Sequence, residues 1–360
     1  MEKIKMKMPF ITPSCSSGKE YSVTHYPRLV DHADMQEPSD PALCEKVLSE
    51  WFGHPVILLS SGRAGINIAL KAMGFHRYRS KFQVPPFLST CVLNAIAPFA
   101  FPVELTQKGE GMLWYHQYGF PQRNAPLHSN VIEDCAHSFF STPNTGEREW
   151  VGDVSIFSLP KFFNIAGMAG GIIVRNVELE EKLRTIVVSA PDDTEDVRIW
   201  MRAIIASAFD SEGSPIEKLF VSSAYELLSQ FIKPDSNDLA GFPTSVDEIK
   251  KIGQKRRERM EFVVDYFGKD AFPEPLLWGY ERIMPFAMPC FSIVDEKLRE
   301  KASHLLEEIG IHAGIYQVDV NRDYCNPEYR SCILLPCHQN APLNKLEEAC
   351  EIIASFGDKR

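Results

Sequence analysis

Residues 157–174 read FSLPKFFNIAGMAGGIIV. One lysine, Lys161, stands among Phe157, Leu159, Phe162 and Phe163, ahead of a glycine pair that opens a second apolar run. Lysine is seldom buried without a partner. Either this is a surface strand whose ammonium snorkels to water, or the amine is kept dry so that it can lose its proton and react. Upstream, DVSIFSLPK reads as a strand running into that lysine, and NVIEDCAH as a strand ending on two acids. PVILLSSGRAGINIALKAMGF reads as a buried strand from Val56 to Leu59 and a Ser-Gly turn. A helix follows, carrying Ile66, Leu70 and Met73 and closed by Gly74. Short continuous apolar runs suit strands covered on both faces of a parallel sheet. Polar residues gathered just after such strands lie at the sheet's carboxyl edge, where ligands bind. The three strand ends therefore predict a constellation of Ser/Gly, Asp and Lys, provided the strands are neighbours.

Beyond this, KPDSNDLAGFPTS (233–245) turns polar and carries Pro and Gly, which places a boundary between a large domain, 1–240, and a small C-terminal domain, 241–360. VDEIKKIGQKRRERMEFVVDYFG reads as a helix whose basic face is solvated. A strand at FAMPCFSIV follows, then a helix from Asp295 with Leu298, Ala302, Leu305 and Ile309 on one side. SCILLP is a further strand, and a last helix begins near Asn344. Strand–helix–strand–helix is a small α/β unit.

The chain has 360 residues, 44% of them hydrophobic, and 48 acids against 38 basic side chains give a formal net charge of −10. A polyanion is repelled on average, so neither nucleic acid nor a membrane surface is an expected partner. No apolar stretch reaches the ~18 residues of a membrane span. MEKIKMKMPF has no apolar core behind its lysines, so no signal peptide is expected. Nine cysteines then read as reduced thiols of a cytoplasmic protein. Cys325, Cys332, Cys337 and His338 form the densest group, but without a C-x-x-C pair they read as ordinary strand and loop residues, and no metal is expected. The signatures G-x-x-x-x-G-K-[ST], H-E-x-x-H and G-x-S-x-G are missing.

What remains is an apolar lysine, an acid at a strand end, and a Ser-Gly turn opening a helix. Pyridoxal phosphate needs a lysine for its Schiff base, an acid at the ring nitrogen and a phosphate cup. The N-terminus of the helix at Gly62 and Arg63 offers such a cup. The same residues resemble motifs of the DegT/DnrJ/EryC1/StrS family of pyridoxal-phosphate aminotransferases, many of which aminate nucleotide-linked keto-sugars. SSGRAGINIAL resembles that family's Ser-Gly-Thr/Arg-Ala stretch, VPPFLSTCVLNAI its P-x-x-T/F-x-x-T-x-x-A segment, and YHQYGFP its V-H-L-Y-G-x-P. VIEDCAH is close to V-I-E-D-x-A-Q/H. GDVSIFSLPKFFNIAGMAGGIIVRN resembles the G-D-x-x-x-F-S…K…G-G segment, and ILLPCHQNAPLNKLEEACEII the C-terminal closure. The matches run in order over nearly the whole chain.

The resemblance implies an α/β, fold-type-I transferase: a large domain with a mostly parallel central sheet and a small C-terminal α/β domain, assembled as a homodimer. It implies that Lys161 binds the cofactor covalently and that Asp134 pairs with the pyridine nitrogen. Phe87 would stack on the ring, His137 would lie near the phenolic oxygen, and Gly62, Arg63 and Ser158 would hold the phosphate. The reaction would carry an amino group from a small-molecule donor, glutamate or glutamine, to a keto-acceptor such as a nucleotide sugar. Another pyridoxal-phosphate reaction, a non-sugar acceptor, or a non-catalytic scaffold would use much the same residues. Three features depart from the family pattern. Lys161 follows Ser158 by three residues where five is usual, although the spacing from Asp153 to the glycine pair is normal. The stretch between Val103 and Val131 is shorter than usual. Region 177–245 has no convincing match to the segment that reaches a partner subunit's cofactor, so no cross-subunit ligand is named.

Overall fold

A computed structural model describes residues 21–22, 37–124, 128–141, 152–165, 167–191 and 231–357. In chain order the first half contains β1 (Tyr21–Ser22), α1 (Pro41–Phe52), β2 (Val56–Leu59), α2 (Gly62–Ala72), β3 (Lys81–Val84), α3 (Thr90–Ile96), β4 (Phe101–Glu104), β5 (Gly111–Tyr115), β6 (Val131–Asp134), β7 (Val154–Ser158), β8 (Gly170–Val174) and α4 (Val177–Ser189). The second half contains α5 (Val246–Phe267), β9 (Ala287–Cys290), α6 (Glu296–Glu308), β10 (Ile311–His312), β11 (Ile315–Asp319), β12 (Tyr329–Pro336) and α7 (Leu343–Phe356).

The main sheet has seven strands in the order β2-β8-β7-β6-β5-β3-β4. It is parallel except for β8, which runs antiparallel to both β2 and β7. Residues of β2, β6 and β8 are buried throughout, as the apolar runs of β2 and β8 predict for strands covered on both faces, and β6 buries Glu133 and Asp134 with them. Because β8 opposes both neighbours, β2 and β7 point the same way, and Gly170 is flanked by Leu59 on one side and Ser158 on the other. Tyr115 pairs with Asp134, and Asp134 with Ile156. The carboxyl ends of β2, β7, β6 and β5 therefore share one edge, and the three strand ends singled out in the sequence are neighbours.

The glycine pair is explained by this packing. A Cβ on Gly170 would lie 2.5 Å from both the Gly62 nitrogen and the Phe157 carbonyl oxygen; one on Gly171 would lie 2.6 Å from the Phe157 ring. Only glycine lets β8 pass beneath the turn into α2. That helix is capped by Ser61, whose hydroxyl accepts from Ala64 N at 3.1 Å, and it is buried from Ala64 to Leu70.

From Val246 onward, a three-stranded antiparallel sheet, β11-β12-β9, packs with α5, α6 and α7. Ser245 caps α5, accepting from Glu248 N, and Glu248 returns a 2.7 Å bond to Thr244 N. Along α6 the buried row is Ala302 and Leu306, whereas Leu298 is 39% exposed and Leu305 only partly buried; this corrects the face expected from sequence. The Ser303 hydroxyl donates to the Ala313 carbonyl at 3.0 Å beside that row, and Ile309 packs against the core as expected. One hydrophobic cluster joins Trp51, Phe139, Phe157, Phe162 and Phe163 to Met260, Val263, Leu334 and Ile353, so the lysine segment rests on side chains from both ends of the chain. The connection between β4 and β5, residues 105–110, is short and leaves from the strand at the outer end of the sheet. Much of region 177–245, residues 192–230, lies outside the described residues.

Candidate active site

Lys161 ends a single 3-10 turn, Leu159–Lys161, that leaves β7 directly after Ser158. The amides of Phe162 and Phe163 both donate to the Leu159 carbonyl at 2.9 Å, and Leu159 N donates to Ala169 O at 3.0 Å. Both phenylalanines are essentially fully buried, and their rings meet Phe139 and Phe140. Burying two such rings is worth about 3–6 kcal/mol, whereas an ammonium can answer partial desolvation by a pKa fall at about 1.4 kcal/mol per unit. The rings therefore fix the turn; Phe286, which meets the Phe162 ring at 5.8 Å, also lies beside the lysine. Its Nζ lies 5.9 Å from the centroid of Phe286, on the same side as Asp134 and His137. Burial lowers the Lys161 pKa; Asp134 and Cys91 oppose the fall, and Arg63 adds to it. The side chain is half-buried, between the two readings the sequence allowed.

Asp134 closes β6 and is 2% exposed. Its Oδ1 accepts from Ala136 N at 2.9 Å. Burial raises its pKa, while Lys161 and the Ala136 amide pull it back. The carboxylate is thus short of positive charge.

His137 is sandwiched between Phe286, at 4.8 Å and 10° between planes, and Tyr118, at 5.5 Å and 12°. The Tyr115 hydroxyl lies 2.8 Å from His137 Nδ1. Burial, assisted by Lys161, drives the His137 pKa well below its ordinary value, and burial raises that of Tyr115 well above the phenol range. The pair is therefore a neutral imidazole and a neutral phenol. With Tyr115 as the donor to Nδ1, the ring proton sits on Nε2.

Gly62, Arg63 and Ser158 also meet. A Cβ on Gly62 would lie 3.8 Å from Ser158 Cβ and 3.2 Å from Phe157 O, so the helix opens against the strand end. The first-turn N–H groups of a helix have no intrahelical acceptor and carry its positive dipole end. Arg63 is near enough to Lys161 to depress its pKa. Phe87 has a positive φ of 56° and is 60% exposed, with its ring 4.8 Å from that of Tyr329.

The strand ends are braced from behind. His116 Nε2 donates to Glu133 Oε1 at 2.8 Å, and its Nδ1 accepts from Gln122 N at 3.2 Å. Glu133 Oε2 accepts from Ser155 Oγ at 2.8 Å and Gly152 N at 3.2 Å. His116, Glu133 and Cys135 have ligand-type atoms within 4.8 Å of one another, yet both imidazole nitrogens are engaged in these bonds, so the group is a brace. Cys332, Cys337 and His338 are buried and Cys325 is exposed; all eight cysteines among the described residues are free thiols.

Sequence reasoning missed Tyr115, Tyr118, Phe286, Arg256 and Gln339. Tyr115 and Tyr118 lie inside the quoted YHQYGFP, a local signal, but the histidine they meet is His137 rather than the motif's own His116. Phe286 and Gln339 come from distant elements and carry none. Arg256 lay in the run read as a solvated basic face. It is instead fully buried, because its guanidinium lies over the Phe162 ring at 4.8 Å.

Comparison with known proteins agrees with this architecture. A family model described as "Putative PLP-dependent aminotransferase" matches residues 50–192. No curated protein matches the chain in sequence. Among solved structures, NtdA from Bacillus subtilis with bound cofactor PMP is 17% identical with a TM-score of 0.58, covering 89% of this chain and 78% of its own. A DegT DnrJ EryC1 StrS aminotransferase from Brucella abortus is 16% identical with a TM-score of 0.58, over 91% of this chain and 93% of its own. Helicobacter pylori PseC, an aminotransferase involved in the biosynthesis of pseudoaminic acid, is 15% identical with a TM-score of 0.59, over 91% and 94%. At this identity the likeness is one of fold. The fold is that of type-I pyridoxal-phosphate aminotransferases, as the motifs implied.

Proposed function

We propose that the chain is a pyridoxal 5′-phosphate-dependent aminotransferase that moves an amino group from glutamate or glutamine to a keto-substrate, a nucleotide-linked keto-sugar. One observation carries this reading: a partly buried amine of lowered pKa, a buried carboxylate short of positive charge and a neutral imidazole converge beside a helix N-terminus. That donor set fits the cofactor group by group. Asp134 suits a protonated ring nitrogen, which would supply the cation it lacks. The Nε2–H of His137 suits the phenolic oxygen. Gly62, Arg63 and Ser158 suit a phosphate, and Phe87 a stacking ring. When bound, the cofactor supplies an electron sink for the carbon that loses a proton.

The chain's own groups do the rest. Lys161 Nζ, unprotonated more readily than an exposed lysine, holds the cofactor covalently. Once released, the same nitrogen takes the proton from the donor's amine-bearing carbon and gives it up on the other side of the transferred nitrogen. Asp134 stays ionised when a cation sits beside it, and so keeps the ring nitrogen protonated. Phe286, with its ring centroid 5.9 Å from Nζ, shields the amine from water. The sugar-nucleotide acceptor, the homodimer with its site at the subunit interface, the cytoplasmic location and the division at residues 240/241 follow from the family resemblance.

The test is optical. The purified chain mixed with pyridoxal phosphate should acquire the visible band of the lysine-bound cofactor, and glutamate or glutamine should bleach it. Regeneration of the band by keto-sugar nucleotides identifies the acceptor class. Lys161→Ala should stay folded and never show the band. A wild-type chain that stays colourless with excess cofactor would sink the assignment and favour a scaffold.

A further inference from the structure

The displaced lysine needs something to aim it. A turn carrying Lys161 three residues after Ser158 follows a different backbone path from one carrying it five residues after, and two carbonyls on that path are grasped from the far end of the chain. Arg256, on α5, donates from Nη2 to the Lys161 carbonyl at 2.9 Å; Gln339, just after β12, donates from Nε2 to the Phe162 carbonyl at 2.8 Å. Both side chains are buried, Arg256 completely.

We propose that Arg256 and Gln339 are positioning residues that clamp consecutive carbonyls of the 159–163 turn and so aim the amine of Lys161 at Asp134 and His137.

The inference rests on the aminotransferase reading for what the amine does, and on geometry alone for what holds it. Arg256 forms no ion pair with an acid among the described residues, and its Nε and Nη1 have no hydrogen-bond partner there. Burial lowers its pKa to about 9, so it remains a cation at neutral pH. A guanidinium buried in this way is an unfavourable means of stabilising a core. Methionine of similar length would fill the space over Phe162 and Phe140 without that penalty. Its one strong directed contact is the carbonyl of the very residue whose side chain matters. Gln339 makes the same kind of contact one residue later, with its own Oε1 unpartnered. Two polar side chains, each satisfied only through this turn, are what a positioning clamp requires. On the amine's side, the charged and titratable groups facing Lys161 are Asp134, His137, Cys91 and Arg63, and neither clamp residue is among them. The clamp therefore acts through backbone placement.

Arg256→Met and Gln339→Leu test this separately, with Arg256→Lys as the conservative variant that keeps a donor. The first readout needs no cofactor: the pH dependence with which an amine-acylating reagent modifies Lys161 in the cofactor-free protein, followed by peptide mass spectrometry. The expected result is a midpoint moved upward toward that of ordinary lysine in Arg256→Met and Gln339→Leu, and restored in Arg256→Lys, with melting temperatures at or above wild type for Arg256→Met. In the loaded enzyme the rate of the donor half-reaction should fall about 10- to 100-fold with the donor KM unchanged, the size expected for a misplacement of ~1 Å. If Arg256→Met fails to fold, Gln339→Leu carries the same test. Folded variants whose Lys161 labelling profile and half-reaction rate match wild type overturn the clamp. A wild-type chain that binds no cofactor removes the functional reading, yet the labelling profile still decides whether the turn is held this way.

Discussion

Replacing Tyr115 by phenylalanine takes a single oxygen from the candidate site and leaves its packing in place. That oxygen lies 2.8 Å from His137 Nδ1. With the phenol protonated and the imidazole neutral, a bond donated by Tyr115 would hold the histidine proton on Nε2, where it can face a phenolate oxygen. In Tyr115→Phe, Nδ1 becomes a buried acceptor with no donor, which costs about 1–3 kcal/mol of stability. The ring escapes part of that cost by moving its proton to Nδ1, and then has no Nε2–H to offer. The bias toward the useful tautomer is worth about 1–2 kcal/mol, so its loss should slow turnover about 5- to 30-fold. Heteronuclear NMR of isotope-labelled histidine reads the tautomer directly, and steady-state kinetics reads the rate. A wild-type His137 already protonated on Nδ1, or a phenylalanine variant with the same tautomer and rate, would refute the reasoning.

Asp134→Asn should separate stability from activity. Burial raises the folded-state pKa of Asp134 above its unfolded value of 3.8. The folded chain therefore binds the extra proton between those two values, and stability from this group declines as pH climbs through that interval. The asparagine variant should melt higher than wild type without cofactor at neutral pH, and lose that advantage as pH falls toward 3.8. With cofactor it should turn over about 100- to 1,000-fold more slowly, the scale of losing a preorganised electrostatic partner. Calorimetry across pH and a rate assay check both halves; a cofactor-free variant less stable than wild type at neutral pH contradicts the burial argument. Gly170→Ala should fail structurally, because its Cβ would come within 2.5 Å of two backbone atoms. A loss of about 1–3 kcal/mol, with weaker cofactor affinity from a shifted α2 turn, is expected by chemical denaturation and absorbance titration, and an alanine variant equal to wild type in both counts against the packing.

The site's skeleton was legible because each of its parts is local. Strand runs of one fully buried kind, a capped helix start at Ser61, and acids or lysine at strand ends all announce themselves within a few residues. Their convergence needed only that β2, β7 and β6 share an edge. Side-chain partnerships across the chain were not legible. Nothing near Lys161 in sequence says that Arg256 and Gln339 hold its turn, and nothing near His137 says that Phe286 will cover it. Basic residues on a helix most often face water, and Arg256 departs from that because an aromatic face and a backbone carbonyl await it in the interior. The α6 face was misjudged in part because several rotations satisfy an i, i+3, i+4 pattern, and Leu306 rather than Leu305 is the leucine buried beside Ala302.

The phenylalanines flanking the lysine belong to the same apolar mass as the closing helices of the chain. Recombining this protein with a relative by exchanging everything after residue 245 would therefore replace the floor on which the Lys161 turn stands, however faithfully the strand-end residues were kept. A chimera that preserves Asp134, His137 and Lys161 but brings a foreign α5 and α7 would inherit the chemistry's components and lose their alignment, unless the aromatic floor were recut to match.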